Sequence, residues 1–253
     1  MSAGIMPAEK RLVIAAGRPL AQVPRALASL HAAHSVGEGL LVKLSPKPSS
    51  RWDRQRAEDL LIGAGFEIQR PVLFRGQSAF AKVVRIESLP DTVGRGLKTL
   101  IVGLNPSPYS ASSAIPYGRP GNRFWPAALG AGLVSKDRDP WHALCQHGVG
   151  FTDLVRRTTR RADEVSTEEF RTGLDRVERL IQWLKPKTAC FVGLAAWRAL
   201  VQRDAVAGIQ LVRIAGVRVY LMPHTSGLNA SARLEDLKGH LRNVRDLSEL
   251  GFT

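Results

Sequence analysis

The amino-acid sequence predicts an α/β protein with a central, mostly parallel sheet, and two observations carry that expectation. Three continuous apolar runs, at residues 97–103 (LKTLIVG), 188–193 (TACFVG) and 217–222 (VRVYLM), have the character of strands buried on both faces. Helical stretches lie between and after them, and such alternation argues for one sheet with helices on both faces.

In chain order, residues 40–43 (LLVK) read as a short buried strand. Residues 53–62 read as a helix with Leu60, Leu61 and Ile62 apolar, stopped by Gly63 and Gly65. Residues 66–68 and 80–86 (FAKVVRI) read as alternating strands. Strand, helix, strand and strand are too little for an independent catalytic domain. Residues 1–90 are therefore expected to form a small α+β appendage, and residues 91–253 the catalytic domain. Helices of the second region are expected over 167–184, opening on a Ser166/Thr167 cap with Glu168 and Glu169 in the first turn, and over 194–202 and 234–247. Ligands of such sheets bind at the carboxyl ends of the strands, which directs attention to the loops after Gly103, Gly193 and Met222.

Lys and Arg total 36 against 22 Asp and Glu, a net charge of +14. That surplus favours a polyanionic partner, nucleic acid first and an anionic membrane surface second. Solubility in an arginine-rich proteome is the alternative source. No apolar run approaches the roughly 20 residues that cross a bilayer. The N-terminus carries no secretory signal, so a cytoplasmic, nucleoid-associated bacterial protein is expected. The two cysteines, Cys145 and Cys190, form no CxxC and cannot alone hold zinc or an iron–sulfur cluster. No metal or cofactor is expected, and Cys190 reads as a core residue.

The loop at 103–125 (GLNPSPYSASSAIPYGRPGNRFW) is long and rich in Pro, Ser and Gly, and a loop of that length at a strand's carboxyl end is usually functional. The loop at 222–231 (MPHTSGLNAS) gathers a histidine, small polar residues, a leucine and an asparagine before a helix. These segments carry a resemblance. From Ser88 to the end, the chain resembles the mismatch-specific uracil-DNA glycosylases and their thymine-DNA glycosylase relatives. SLPDTVGRGLKTLIVGLNPS is similar to the approach to the family's first motif, Gly-Ile-Asn-Pro-Gly, and RPGNRFWPAALGAGL to the run after it. GVGFTDLVRRTTRRADEVS is similar to the middle segment, and MPHTSGLNA to the second motif. The resemblance implies a three-layer α/β/α sandwich. It also implies a monomeric enzyme that flips uracil out of DNA, from G·U mismatches and from double or single strands, and hydrolyses the N-glycosidic bond.

Such chemistry needs the base outside the stack and a positioned water at a cationic sugar. The resemblance makes Asn105 the water-positioning residue; its other reading is a turn former before Pro106. Tyr117 matches the aromatic that stacks on the flipped base, or is a core aromatic beside Pro116. Leu104, Ser107, Tyr109 and Asn122 are further base-binding candidates, with backbone amides near Ser107 and Tyr109 facing the base. His224 stands where the mismatch-specific members carry asparagine. It is similar to the histidine of the major uracil-DNA glycosylase family, which stabilises charge on the departing uracil; otherwise it caps the next turn. Leu228 matches a wedge that enters the duplex, or is a staple for the next helix. Gly227, Asn229 and Ala230 are placed by the opposite base, and Arg233, Arg119 and Arg123 are DNA-binding candidates. Asp153 is the one candidate general base, although an N-cap or an ion pair with Arg156 or Arg157 is the reading favoured from sequence. The run Arg156, Arg157, Arg160 and Arg161 is either a phosphate track or a solvated face.

Ser107 departs from the final glycine of the first motif, which leaves the exclusion of thymine open. Neither motif supplies a lysine for Schiff-base chemistry, so no strand cleavage is expected. Residues 40–90 loosely resemble the last elements of a class I methyltransferase fold, where a helix ending in GAGFE precedes a hairpin. The cofactor loop of such enzymes is missing, because Gly37-Glu-Gly39 and Gly63-Ala-Gly65 do not join a strand to a helix start. A catalytically weak lesion-binding module and, less favoured, an S-adenosylmethionine-dependent methyltransferase are the alternative functions.

Overall fold

The computed structural model describes residues 11–159, 164–227, 229 and 232–250, and the chain divides into two compact units, Met1–Ile86 and Glu87–Thr253. Leu89, placed by the sequence reading in the N-terminal region, belongs to the second unit.

The first unit contains β1 (Arg11–Ile14), α1 (Val23–Ala32), β2 (Gly39–Leu44), α2 (Arg54–Gly63), β3 (Phe66–Ile68), β4 (Leu73–Arg75) and β5 (Ser78–Arg85). Its sheet runs β1-β2-β5-β3, with β4 also on β5. β1 and β2 are parallel, and β2, β3 and β4 are all antiparallel to β5. The alternation along β2 and β5 buries Leu40, Val42, Leu44, Ala79, Ala81 and Val83. Asp53 caps α2 by accepting the Arg56 N–H at 2.7 Å. The unit is richer than strand, helix, strand, strand. β1, α1 and β4 escaped notice, although Val23, Leu27 and Leu30, all buried, recur at helical spacing in α1.

The second unit contains β6 (Thr99–Gly103), α3 (Pro108–Ser113), α4 (Phe124–Gly130), α5 (Pro140–His142), β7 (Val149–Asp153), α6 (Thr167–Leu184), β8 (Thr188–Val192), α7 (Ala195–Leu200), β9 (Gly208–Ile209), β10 (Arg218–Met222) and α8 (Leu234–Glu249). The sheet order is β7-β6-β8-β10-β9, all parallel except β9. Every residue of β6, β7 and β8 is buried, which is why their sequences read as unbroken apolar runs.

Ile101, Phe151, Cys190 and Tyr220 stand in register across the sheet. They form one core with Phe124 and Trp125 of α4 and Leu237, Leu241 and Val244 of α8. On the opposite face Phe191 meets Trp197 of α7 at 5.2 Å, and Arg176 of α6 bonds the Asp153 carbonyl at 2.8 Å. Helices thus cover both faces, and the expected three-layer α/β arrangement with a mostly parallel sheet is observed. The expected cap of α6 is present: Ser166 Oγ accepts the Glu169 N–H at 3.2 Å and Glu169 accepts the Ser166 N–H at 2.9 Å. Two readings change. The segment 103–125 is not one loop but holds α3 and the start of α4, and α7 is shorter than the 194–202 expected. Among the described residues no helix is long and apolar enough to cross a membrane.

Candidate active site

The carboxyl ends of β6, β7, β8 and β10 converge on one cleft of about 450 Å³, inside the range of roughly 300–1,000 Å³ usual for small-molecule sites. It is lined by Leu104, Asn105 and Ser107 from the segment after β6, and by Asp153, the last residue of β7. Residues 192–195 after β8 and His224 after β10 complete the strand ends, with Tyr117, Arg119 and Asn122 along one wall. Asn105, Tyr117, His224 and Asp153, spread over 120 residues of chain, thus share one space.

Asn105 is held by its amide nitrogen, which donates to Thr159 Oγ1 at 2.7 Å and to the Arg157 carbonyl at 3.4 Å. The nitrogen being committed, the carbonyl oxygen is the end left to accept from a water. Asn105 is therefore more than a turn former. Thr159 had no signal in the sequence, because the bond joins residues 54 positions apart.

Asp153 sits beside Gly103 for a steric reason. A Cβ built on Gly103 would lie 2.1 Å from Asp153 Oδ1 and 3.0 Å from the Tyr117 hydroxyl. Only glycine leaves that volume to the two oxygens, which lie within about 5 Å of each other. Burial pushes the Asp153 carboxyl up to about 6, with the Arg156 charge opposing the rise, Asp91 adding to it and Arg176 opposing it. The same burial, and then the Asp153 charge, pushes the Tyr117 phenol well above 10.

The Arg156 charge acts on Asp153, as the sequence reading anticipated, but carboxylate partners of the arginines lie elsewhere. Arg156 and Arg176 both bind the buried Asp91, at 2.9 and 2.8 Å, and Arg157 pairs with Glu169 at 2.6 Å. Arg156 is buried with Asp91, Arg157 is exposed beside Glu169, and Arg160 and Arg161 lie outside the described residues. With Asp91 taking both guanidinium groups, the Asp153 carboxylate is left to the cleft.

Tyr117 stands at φ 56°, a strained conformation for a residue with a side chain. Its turn is pinned by the Trp125 indole, which donates to the Pro116 carbonyl at 2.7 Å, and by the Gly118 N–H, which donates to Ile115. One ring face stacks on Phe124 with centroids 4.4 Å apart and planes 19° from parallel. The reading of Tyr117 as a core aromatic is observed, and the residue also lines the cleft.

A family model, "Uracil DNA glycosylase superfamily", matches residues 90–246, more than half of the chain. The chain belongs to the uracil DNA glycosylase superfamily. As a member it is a DNA glycosylase, and the match takes in every residue of the cleft but Leu89. The chain is also similar to the solution NMR structure of a candidate uracil DNA glycosylase from Methanosarcina acetivorans, with 21% identity over 62% of this chain and 97% of that one and a TM-score of 0.45.

The remaining candidates of this glycosylase fall into two groups. Ser107 lines the cleft, with its hydroxyl accepting the Ser110 N–H at 3.2 Å as the cap of α3. Asn122 lines it with its carbonyl engaged by the Phe124 N–H at 2.9 Å. His224 is exposed at the cleft; partial burial of its ring, and then the Arg123 charge, lower the imidazole from its ordinary value and favour its neutral form. Tyr109, expected at the base, is instead exposed on α3 and does not line the cleft.

Arg123, read from sequence as a DNA-binding candidate, clamps the loop after β10. Its guanidinium donates to the carbonyls of Ser226 at 2.9 Å, Asn229 at 2.7 Å and Ala232. Asn229 is buried and holds the His224 carbonyl at 2.8 Å, with its own N–H on Ser226. Its backbone N–H and carbonyl, expected by the opposite base, bond within the loop to Ser226 and Arg123. Gly227 must be glycine, since a Cβ there would meet the Gly121 carbonyl at 2.7 Å. Arg233 is exposed before α8 and donates its N–H to Asp236 at 2.8 Å. Leu228 and Ala230 lie outside the described residues. Residues 192–195 were flagged only as a loop position, because they contribute apolar atoms and backbone, which carry no motif.

Proposed function

We propose that the chain is a monofunctional uracil-DNA glycosylase that takes uracil, from G·U mismatches, into the cleft and hydrolyses its glycosidic bond. The observation that supports this best is the meeting of an amide acceptor, a free buried carboxylate, an aromatic ring and a neutral imidazole in one cleft at the strand ends. In this reading Asn105 and Asp153 hold one water between them. As the bond from the sugar C1′ to the base nitrogen breaks, its electron pair leaves with the base. The water oxygen adds to C1′, and its proton passes to Asp153. His224, neutral, donates to the uracil O2 where charge develops. Tyr117 supplies the ring against which the base stacks. Among the described residues no lysine lines the cleft, which supports hydrolysis without strand cleavage.

Incubation with a labelled G·U duplex is expected to leave an abasic site and an intact strand until alkali is added. Tight binding with no abasic product at stoichiometric enzyme overturns the reading in favour of a lesion-binding module.

The carboxyl at about 6 gives a pH prediction. Below that pH Asp153 is protonated and cannot take the water's proton, so kcat/KM is expected to rise with pH through about 6 and then level. Stability moves the opposite way. A carboxyl whose folded pKa is raised binds a proton in the folded state where the unfolded chain is already ionised. Stability is therefore lost as pH climbs from about 4 to about 6, by up to about 3 kcal/mol. Asp153→Asn is expected to abolish both dependences, lowering activity while raising the unfolding free energy at pH 7.5. An unchanged pH–rate profile in this variant removes Asp153 from the proton transfer.

A further inference from the structure

The catalytic cleft belongs entirely to the second unit, yet the first unit carries the denser charge. It holds thirteen Lys and Arg against six Asp and Glu in 86 residues, whereas the remaining 167 hold twenty-three against sixteen. The net surplus is the same in about half the length, so the first unit has about twice the net positive charge per residue.

Its sheet also has an open face. Side chains of paired residues project to the same side of a sheet. Register therefore sets Leu41 beside Lys82, Lys43 beside Phe80, Val13 beside Lys43 and Leu73 beside Phe80. The opposite side is the buried one, with Leu40, Val42, Leu44, Ala79, Ala81 and Val83. On the open side Val13 and Leu73 are 55% and 56% exposed. A hollow of about 160 Å³ lies there, lined by Leu41, Leu73, Phe80 and Lys82 and rimmed by Arg70. The Lys43 ammonium stands 5.7 Å from the Phe80 ring centre. Arg75, exposed, closes the β4 end.

Apolar side chains and an aromatic ring on the open face of a sheet, with cations among and around them, form a mixed surface. A duplex presents mainly phosphates to a flat protein face and has no use for the apolar part. A single strand offers both components: phosphates for the cations, and unstacked bases for the ring and the aliphatic groups. We propose that this face of the first unit is a docking platform for single-stranded DNA, separate from the catalytic cleft. It would hold unpaired strand on the protein whether or not a uracil is present.

The test uses the full chain and a labelled oligo(dT) that contains no uracil, followed by fluorescence anisotropy at several salt concentrations. K43E/R75E/K82E is expected to weaken binding about tenfold or more. It is also expected to flatten the log–log salt dependence by about 2, since each phosphate contact on a single strand contributes roughly 0.7 to the slope. K43Q/R75Q/K82Q, with half the charge change, is expected to show the same flattening with a smaller loss, and circular dichroism melts establish that both variants fold. R18E/K47E/R51E makes the same change of charge on exposed loop residues of the same unit. An equal loss in that control shows a diffuse effect of charge and overturns the platform. Unchanged binding by the glutamate variant overturns it outright, and a larger loss on duplex than on single strand overturns the choice of ligand. Because the probe lacks uracil, none of these outcomes depends on base release.

Discussion

Asn105→Ala is expected to slow uracil release under single-turnover conditions by on the order of 10²-fold or more, while the dissociation constant for DNA changes little. The alanine keeps the backbone after β6 and removes the acceptor that faces the cleft. The amide nitrogen is held by Thr159 at 2.7 Å, which on the proposed mechanism leaves the carbonyl oxygen to accept from the water. Misplacing one reacting group by about 1 Å commonly costs about that factor. Asn105→Asp tests the same point from the other side. The carboxylate keeps an acceptor but loses the N–H donated to Thr159, and a second charge is brought into the cleft that holds Asp153. Its expected effect is a smaller loss of rate together with an upward shift of the acid limb. Thr159→Val is expected to lower the rate less than alanine at Asn105, because the amide is then loose but present. Single-turnover rates of Asn105→Ala equal to those of the parent chain would remove Asn105 from the reaction.

Asp91→Ala is expected to destabilise the second unit by about 3–5 kcal/mol, a larger effect than any surface ion pair in the protein would give. Asp91 accepts from Arg156 at 2.9 Å, Arg176 at 2.8 Å and the Thr152 hydroxyl at 2.7 Å, and all four side chains are buried. Removing the carboxylate leaves two guanidinium groups out of water without their counter-charge. Thr152 and the Asp153 carbonyl still accept from Arg176, at 2.8 Å each, and neither is charged. For a unit of this size the loss corresponds to a fall in melting temperature on the order of 10 °C.

The same substitution reaches the cleft. With Asp91 gone, the charges of Arg156 and Arg176 act on Asp153 unopposed, and the acid limb of the rate profile is expected to move below 6. Asp91→Asn keeps an acceptor and should lose less stability, with a similar shift in the profile. Thermal melts together with the pH–rate profile check both parts. A loss under about 1 kcal/mol for Asp91→Ala would mean that the cluster is not what holds α6 to the sheet.

The two effects meet in one design. Arg156, which read from sequence as part of a phosphate track or a solvated face, and Arg176, which carried no such reading, both act on a buried carboxylate. Arg156 and Arg176 make burial of Asp153 tolerable, and Asp91 prevents them from holding it permanently ionised. Burial raises Asp153 to about 6, and the arginines, partly offset by Asp91, limit that rise.

The sequence by itself determined the second unit's sheet and the place of its ligand site. Apolar runs such as LKTLIVG and TACFVG can be solvated on neither face, so they had to become central parallel strands, and parallel strands put their ligand loops at one edge. It also singled out Asn105, Tyr117 and His224, since their motifs are short and contiguous. Tertiary structure alone decided the roles of the charged residues. Arg123 is a loop clamp, Arg156 belongs to Asp91 and Asp153 is free, because charge pairing is fixed by distances between segments far apart in the chain. Nothing local distinguishes an arginine that will be buried opposite a carboxylate 65 positions away from one that will meet a phosphate. β1 and α1 of the first unit were missed for a milder reason: they are short, and they are secured by pairing and packing partners that lie further along the chain.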